Sequence, residues 1–194
     1  MIDKNIKFSL STNILEELNT YSEILKKDHN EILKEALEND FERLTNDIMS
    51  IDGEYFMFRD FQARNIMIYN EETWFIDYQG GRKGPLQYDV ISLLFQAKAD
   101  LSHSLREELL DFYIQEAQKS ISIDVIRFKK EYNKVLLIRL LQVLGAYGFR
   151  GLIEKRPHFV ESLSFGIANI KWYIEKVEYI KEFPELHSLL SRLS

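Results

Sequence analysis

Three short segments gather residue types that handle phosphate and metal. Phe58-Arg59-Asp60-Phe61-Gln62-Ala63-Arg64-Asn65 follows one aromatic run, Phe75-Ile76-Asp77-Tyr78-Gln79-Gly80-Gly81 ends another, and Gln87-Tyr88-Asp89-Val90 opens an amphipathic stretch. Asp60 and Asn65 share one loop, and a hairpin after Asn65 returns Asp77 to the same end of it. Two carboxylates and an amide oxygen there suit Mg²⁺, a hard cation that takes oxygen ligands and completes its octahedron with phosphates and waters. A carboxylate left off the metal can aim a hydroxyl nucleophile, which gives the set the parts of a phosphoryl-transfer site. Each of the three could instead cap a turn at a strand end, as Asp and Asn often do.

The elements that must position these residues are short. Tyr55–Phe58, Ile66–Tyr69 and Thr73–Ile76 are rich in aromatic and β-branched residues and read as strands, with Asn70-Glu71-Glu72 as a tight turn. Helices are expected over 30–48, with Asn30 as N-cap, and over about 14–25 before it. After Pro85 the periodicity predicts helices near 88–98, 103–119, 123–144, 160–180 and 185–193. The run Val135–Leu141 is apolar nearly all round and belongs to a central helix, so Arg139 inside it is expected to meet a carboxylate or several carbonyls. The fold class is α+β, mainly α-helical, with a small β element whose polar loops carry the chemistry.

Composition narrows the function classes. The chain has 194 residues, 45% of them hydrophobic, which is enough for a core and excludes a low-complexity or disordered chain. No cysteine occurs, so a disulfide scaffold, a thiolate metal site and a cysteine nucleophile are excluded. No uninterrupted apolar run approaches the ~18 residues of a membrane span, no leader opens the chain, and a cytoplasmic protein that engages no membrane is expected. The net charge of −6 argues against nucleic acid as the main ligand. The four histidines have no metal-ligand spacing.

The pattern Arg-Asp-x-x-x-x-Asn, followed twelve residues later by Asp, resembles the catalytic and metal loops of the protein-kinase-like superfamily. RDFQARNIM, FIDYQGGRKGPLQYDVISLL and LGAYGFRG are most similar to its aminoglycoside/choline phosphotransferase branch, and within that to the anomeric N-acetylmuramate and N-acetylglucosamine kinases of cell-wall recycling. The resemblance covers about residues 38–180. It implies a kinase-like C-lobe that uses ATP and Mg²⁺ to phosphorylate a sugar hydroxyl, with Asp60 as catalytic base and Asn65 and Asp77 as Mg²⁺ ligands. It implies further that Asp89 braces the catalytic loop, although Asp89 also suits a helix N-cap. Arg64, Arg82, Lys83 and Arg150 are candidate phosphate or substrate contacts, with an exposed turn pair as the other reading of Arg82 and Lys83. Gly145-x-x-Gly148-x-x-Gly151 reads as a closely packed helix end.

The sequence departs from the family pattern. Phe58 stands where protein kinases carry His, Tyr78-Gln79 replaces Phe-Gly, and no Ala-Pro-Glu segment follows, all of which disfavour a protein kinase. The eight glycines form no GxGxxG or GxxxxGK[ST] loop, and too few residues precede the match for a nucleotide-covering N-lobe. The expectation is therefore a C-lobe over 38–194, N-lobe absent, behind an atypical helical segment over 1–37. Such a chain is either completed by a partner chain that supplies the N-lobe or is a truncated, non-catalytic remnant.

Residues 5–40 carry a second resemblance, to a ribbon-helix-helix DNA-binding domain, with Lys7 and Ser9 facing bases from a strand over Ile6–Leu10. A dimeric regulator with a C-lobe sensor is the corresponding alternative. Charge opposes it, since residues 1–50 hold six basic and eleven acidic residues.

Overall fold

A computed structural model describes residues 29–193 of the chain. The expected helix over 14–25 and the strand of the ribbon-helix-helix reading lie outside the described residues. The elements run α1 (His29–Met49), β1 (Tyr55–Met57), β2 (Ile66–Tyr69), β3 (Glu72–Phe75), β4 (Arg82–Gly84), α2 (Gln87–Leu94), α3 (His103–Gln118), α4 (Val125–Gly148), α5 (Pro157–Lys176) and α6 (Pro184–Leu190). This is the mainly helical α+β architecture expected.

Local chemistry explains most boundaries. Asp124 caps α4 by accepting the Arg127 N–H at 3.0 Å, and Ser102 accepts from Leu105 at the start of α3. Pro157 and Pro184 occupy the first turns of α5 and α6, where no N–H is needed. Asn30, the expected N-cap of α1, is itself helical. Helix α2 ends at Leu94, short of the expected 98, and a 3₁₀ turn over Ala97–Ala99 follows. Helix α4 runs further than expected and continues as a π-helical turn over Phe149–Ile153.

Helix α4 packs against α2 and α5, and α1 packs against α6. Leu136 and Leu137 of α4, Ile91 of α2, Ile170 and Tyr173 of α5 and Leu44 of α1 are fully buried. Each such side chain contributes about 1.5–3 kcal/mol relative to exposure. The Tyr173 hydroxyl is satisfied by donating to the Asn133 carbonyl at 2.7 Å. Val125–Ile153 is long and apolar enough to cross a membrane by length and composition, although, as expected, charged residues interrupt its apolar run. Arg139 and Arg150 hide it from a search for unbroken runs, and Val135, Leu136, Leu137 and Leu140 within it are buried in this chain's own core.

The β element is two antiparallel pairs rather than one sheet. In the hairpin β2–β3, Ile66 stands opposite Phe75 and Tyr69 opposite Glu72. Asn70 and Glu71 both take positive φ, as a two-residue turn matched to strand twist requires. The second pair joins β1 to β4, a strand the sequence pattern does not announce, with Phe56 opposite Lys83.

Candidate active site

The hairpin fixes the site. The Ile76 N–H donates to the Asn65 carbonyl at 3.0 Å, one step beyond the β2–β3 ladder, so Asp77 emerges at the same end of the hairpin as Asn65. Asp77 is exposed and left-handed, with φ 67 and ψ 36. Asn65, by contrast, is buried at the end of a 3₁₀ turn over Ala63–Asn65.

Asp60 is held by its own loop. The Asn65 side-chain amide donates to the Asp60 carbonyl at 2.9 Å and to Asp60 Oδ2 at 3.2 Å. Arg64 donates to the same Oδ2 at 2.8 Å, and the Gln62 amide donates to Oδ1. Burial pushes the Asp60 carboxyl up, but the hydrogen bonds from Arg64, Asn65 and Gln62 and the Arg64 charge outweigh it and hold the group below its ordinary value. Asp60 is therefore a carboxylate at neutral pH, ready to accept a proton or a hydrogen bond.

The loop is clamped from α2. Asp89 accepts the backbone N–H of Phe58 at 2.5 Å and of Arg59 at 2.9 Å, spending its two oxygens on the loop and none on its own helix. Gln96, just past α2, accepts the Ala63 N–H at 2.9 Å. From the other side Phe58, Phe61 and Phe75 form a triangle of rings with centroids 5.7, 6.4 and 5.7 Å apart. They border a mainly apolar cavity of about 510 Å³ that reaches α3 at Leu109 and Phe112.

Two positioning residues escape the sequence reading. Arg59 takes φ 73 and donates to the Gly80 carbonyl at 3.2 Å, tying the Asp60 loop to the Asp77 loop; its place beside Asp60 was the available signal. Gln96 carries no motif and has no signal in sequence.

The remaining candidates are distributed differently. Arg64 sits at the site through its ion pair with Asp60. Lys83 pairs with Glu54 at 2.5 Å, and Arg82 is exposed on β4 opposite Met57. Arg150 lies on the π-turn, its guanidinium 5.2 Å from the centroid of the Phe159 ring.

The donor set fits magnesium. Asn65 commits its NH₂ group to Asp60, which leaves its oxygen as the donor to a cation, and Asp77 adds a carboxylate. Among the described residues no three acidic or histidine side chains form a cage that would hold a metal alone. A cation here needs phosphate and water oxygens as well, which is how Mg²⁺ is usually bound.

A family model for the ecdysteroid kinase-like family matches residues 3–123. The chain belongs to the ecdysteroid kinase-like family. That family lies within the protein-kinase-like superfamily, so the kinase-like C-lobe resemblance holds at that level, and the family is one of phosphotransferases. The match takes in Asp60, Asn65, Asp77 and Asp89, together with the segment before residue 29, and ends ahead of α4 and Arg150. No curated protein matches the sequence.

Proposed function

We propose that the chain carries the catalytic half of a small-molecule kinase, transferring the γ-phosphoryl group of ATP to a hydroxyl of a sugar-like acceptor. In this reading Asp60 accepts a hydrogen bond from the acceptor hydroxyl and takes its proton as the oxygen bonds to phosphorus. The bond from phosphorus to the β,γ-bridging oxygen breaks, and ADP leaves. Asn65 and Asp77 would hold Mg²⁺, which would supply neutralisation of phosphate charge. Asp89, Gln96 and Arg59 keep the two loops in register.

The observation that carries the reading is the double donation of the Asn65 amide to Asp60, which couples the candidate base to the candidate metal ligand. The finer kinship with aminoglycoside/choline phosphotransferases and anomeric amino-sugar kinases belongs to this proposal and rests on the motifs quoted above. So does a nucleotide-covering lobe supplied by a partner chain. Met67, Ile68, Tyr69 and Trp74 on the hairpin are exposed, and such an apolar patch beside a phosphate site is a surface for a lobe to close on.

Calorimetric titration of the full chain with Mg-ATP, beside Asp77→Asn, tests the reading. Asn tolerates the left-handed conformation of residue 77, so the variant removes charge and keeps the backbone. The expected result is at least a tenfold loss of affinity, after which sugars are assayed as acceptors. Unchanged affinity, or no heat with the native chain, would overturn nucleotide binding by this site.

A further inference from the structure

Arg139 lies half-buried in α4 and, among the described residues, has no carboxylate within 4 Å, where the sequence leads one to expect a carboxylate or several carbonyls. Its Nη1 donates to the Tyr88 hydroxyl at 3.2 Å, and its guanidinium lies 5.3 Å from the centroid of that ring. The Tyr88 hydroxyl donates onward to Gln142 Oε1 at 3.4 Å. Tyr88 adjoins Asp89 on α2, so this array stands directly behind the clamp on the Asp60 loop.

Two further cations flank it. The charges of Arg139 and Arg64 both act on the half-buried hydroxyl of Tyr147, which has no hydrogen bond among the described residues. The Tyr147 ring lies 5.9 Å from the Phe159 ring, and Arg150 covers Phe159 from 5.2 Å. Among the described residues, neither Arg139 nor Arg150 has a carboxylate partner within 4 Å, whereas Arg64 has only Asp60. In a chain with 31 acidic and 25 basic residues, an unmatched cationic face next to the candidate base needs a reason. The Asp89 carboxyl feels the Arg139 charge but spends both oxygens on the Phe58 and Arg59 N–H groups, so the half-buried guanidinium loses hydration without a direct ion pair in return. The planar fork of arginine matches the paired oxygens of a carboxylate or phosphate, while the phenol hydroxyls and the amide suit sugar hydroxyls.

We propose that Tyr88, Arg139, Gln142 and Tyr147, flanked by Arg64 and Arg150, form the acceptor subsite and select an acceptor that carries its own anionic group, a sugar acid or a sugar phosphate. The inference rests on the phosphotransferase reading and names the substrate class of that same site. The anionic group is bound and not transferred; it anchors the acceptor so that a hydroxyl elsewhere on the sugar reaches Asp60.

The test is calorimetric titration of the full chain at low salt with glucuronate, glucose 6-phosphate, glucose and inorganic phosphate. The expected result is that at least one anionic sugar binds tenfold or more tighter than both glucose and inorganic phosphate. Arg139→Gln should abolish that preference, and Arg150→Gln, on an exposed turn where folding is not at risk, should weaken it threefold or more. Equal binding of glucose, binding of no sugar, or inorganic phosphate matching the sugars would overturn the proposal. Competition between Mg-ATP and the anionic sugar would assign the arginines to nucleotide phosphates and overturn it as well. The kinase reading fails on separate data, the Mg-ATP titration of the native chain and of Asp77→Asn.

Discussion

The carboxylate of Asp89 accepts the backbone N–H of Phe58 at 2.5 Å across 31 residues of sequence. With the adjacent bond from Arg59, this makes the start of the candidate catalytic loop an attachment of helix α2 rather than a free connection. The same helix leads to Gln96, which holds Ala63. Asp60 thus stands between two points fixed to one rigid element, as a side chain that must aim a hydroxyl to within a fraction of an ångström requires.

Replacing Asp89 by Asn should expose this dependence. An amide oxygen can serve one of the two N–H groups, but the NH₂ group then faces the other, and a half-buried donor left unpaired costs about 1–3 kcal/mol. Asp89→Asn is expected to lose that much stability in urea and to speed hydrogen exchange at the Phe58 and Arg59 amides. Unchanged exchange at both amides would mean the clamp is not holding the loop. Burial pushes the Asp89 carboxyl above its ordinary value, against the two N–H bonds and the Arg139 charge. A carboxyl raised in this way favours the folded state at low pH, and its contribution is lost as pH rises through the raised value.

Asp60 has the opposite sign. Its carboxyl is lowered despite burial because Arg64, Asn65 and Gln62 all donate to it. Its contribution to stability is present above the ordinary carboxylate range of about 4 and disappears as pH falls through the lowered value. Arg64→Gln removes the largest of the lowering influences, and the Asp60 carboxyl is then expected to titrate at higher pH. A carbon-detected NMR titration of the Asp60 side chain reads this directly; an unmoved midpoint would show that Arg64 does not set the charge state of the site.

The site was more legible in sequence than its supports were. Asp60, Asn65 and Asp77 stand out because the chemistry fixes residue types at fixed spacing, and the hairpin between them is announced by aromatic and β-branched residues with Asn70 at the turn. Strand β4 carries no such sign. Arg82-Lys83-Gly84 lacks apolar alternation and is a strand because β1 needs a partner on that side. Arg139 misled for a related reason. Sequence shows that a cation lies in an apolar helix, but the group that meets it is a tyrosine from another helix, set by the α2–α4 packing. Phe58, Phe61 and Phe75 look like three separate strand or loop aromatics until the hairpin brings them together.

Asp40 supports the fold away from the site. Although it lies in α1 it is buried, and its Oδ2 accepts the Glu185 and Leu186 N–H groups at 2.9 and 3.0 Å, capping the first turn of α6 from another helix. Asp40→Ala leaves both donors without an acceptor and is expected to cost about 1–2 kcal/mol, the usual loss for a removed cap. Asp40→Asn, which keeps an acceptor oxygen, should recover part of it. Equal loss in both variants, measured as the urea midpoint, would show that the carboxylate charge rather than the cap is what matters.

The glycines at the end of α4 separate two effects that one motif joins in sequence. A Cβ built on Gly145 or Gly148 meets nothing within 4 Å, whereas one on Gly151 comes within 3.1 Å of the Val160 nitrogen and 3.3 Å of the Phe159 carbonyl carbon. Only Gly151 serves the close packing expected of the series, where the π-turn passes against the start of α5. Gly148→Ala adds a better helix former in open space and is expected to stabilise the protein by about 0.5–1 kcal/mol. Gly151→Ala forces backbone against backbone and is expected to destabilise it by about 1–3 kcal/mol. Opposite displacements of the two thermal midpoints are the expected observation. Stabilisation by Gly151→Ala would mean that α5 does not pack where the π-turn directs it.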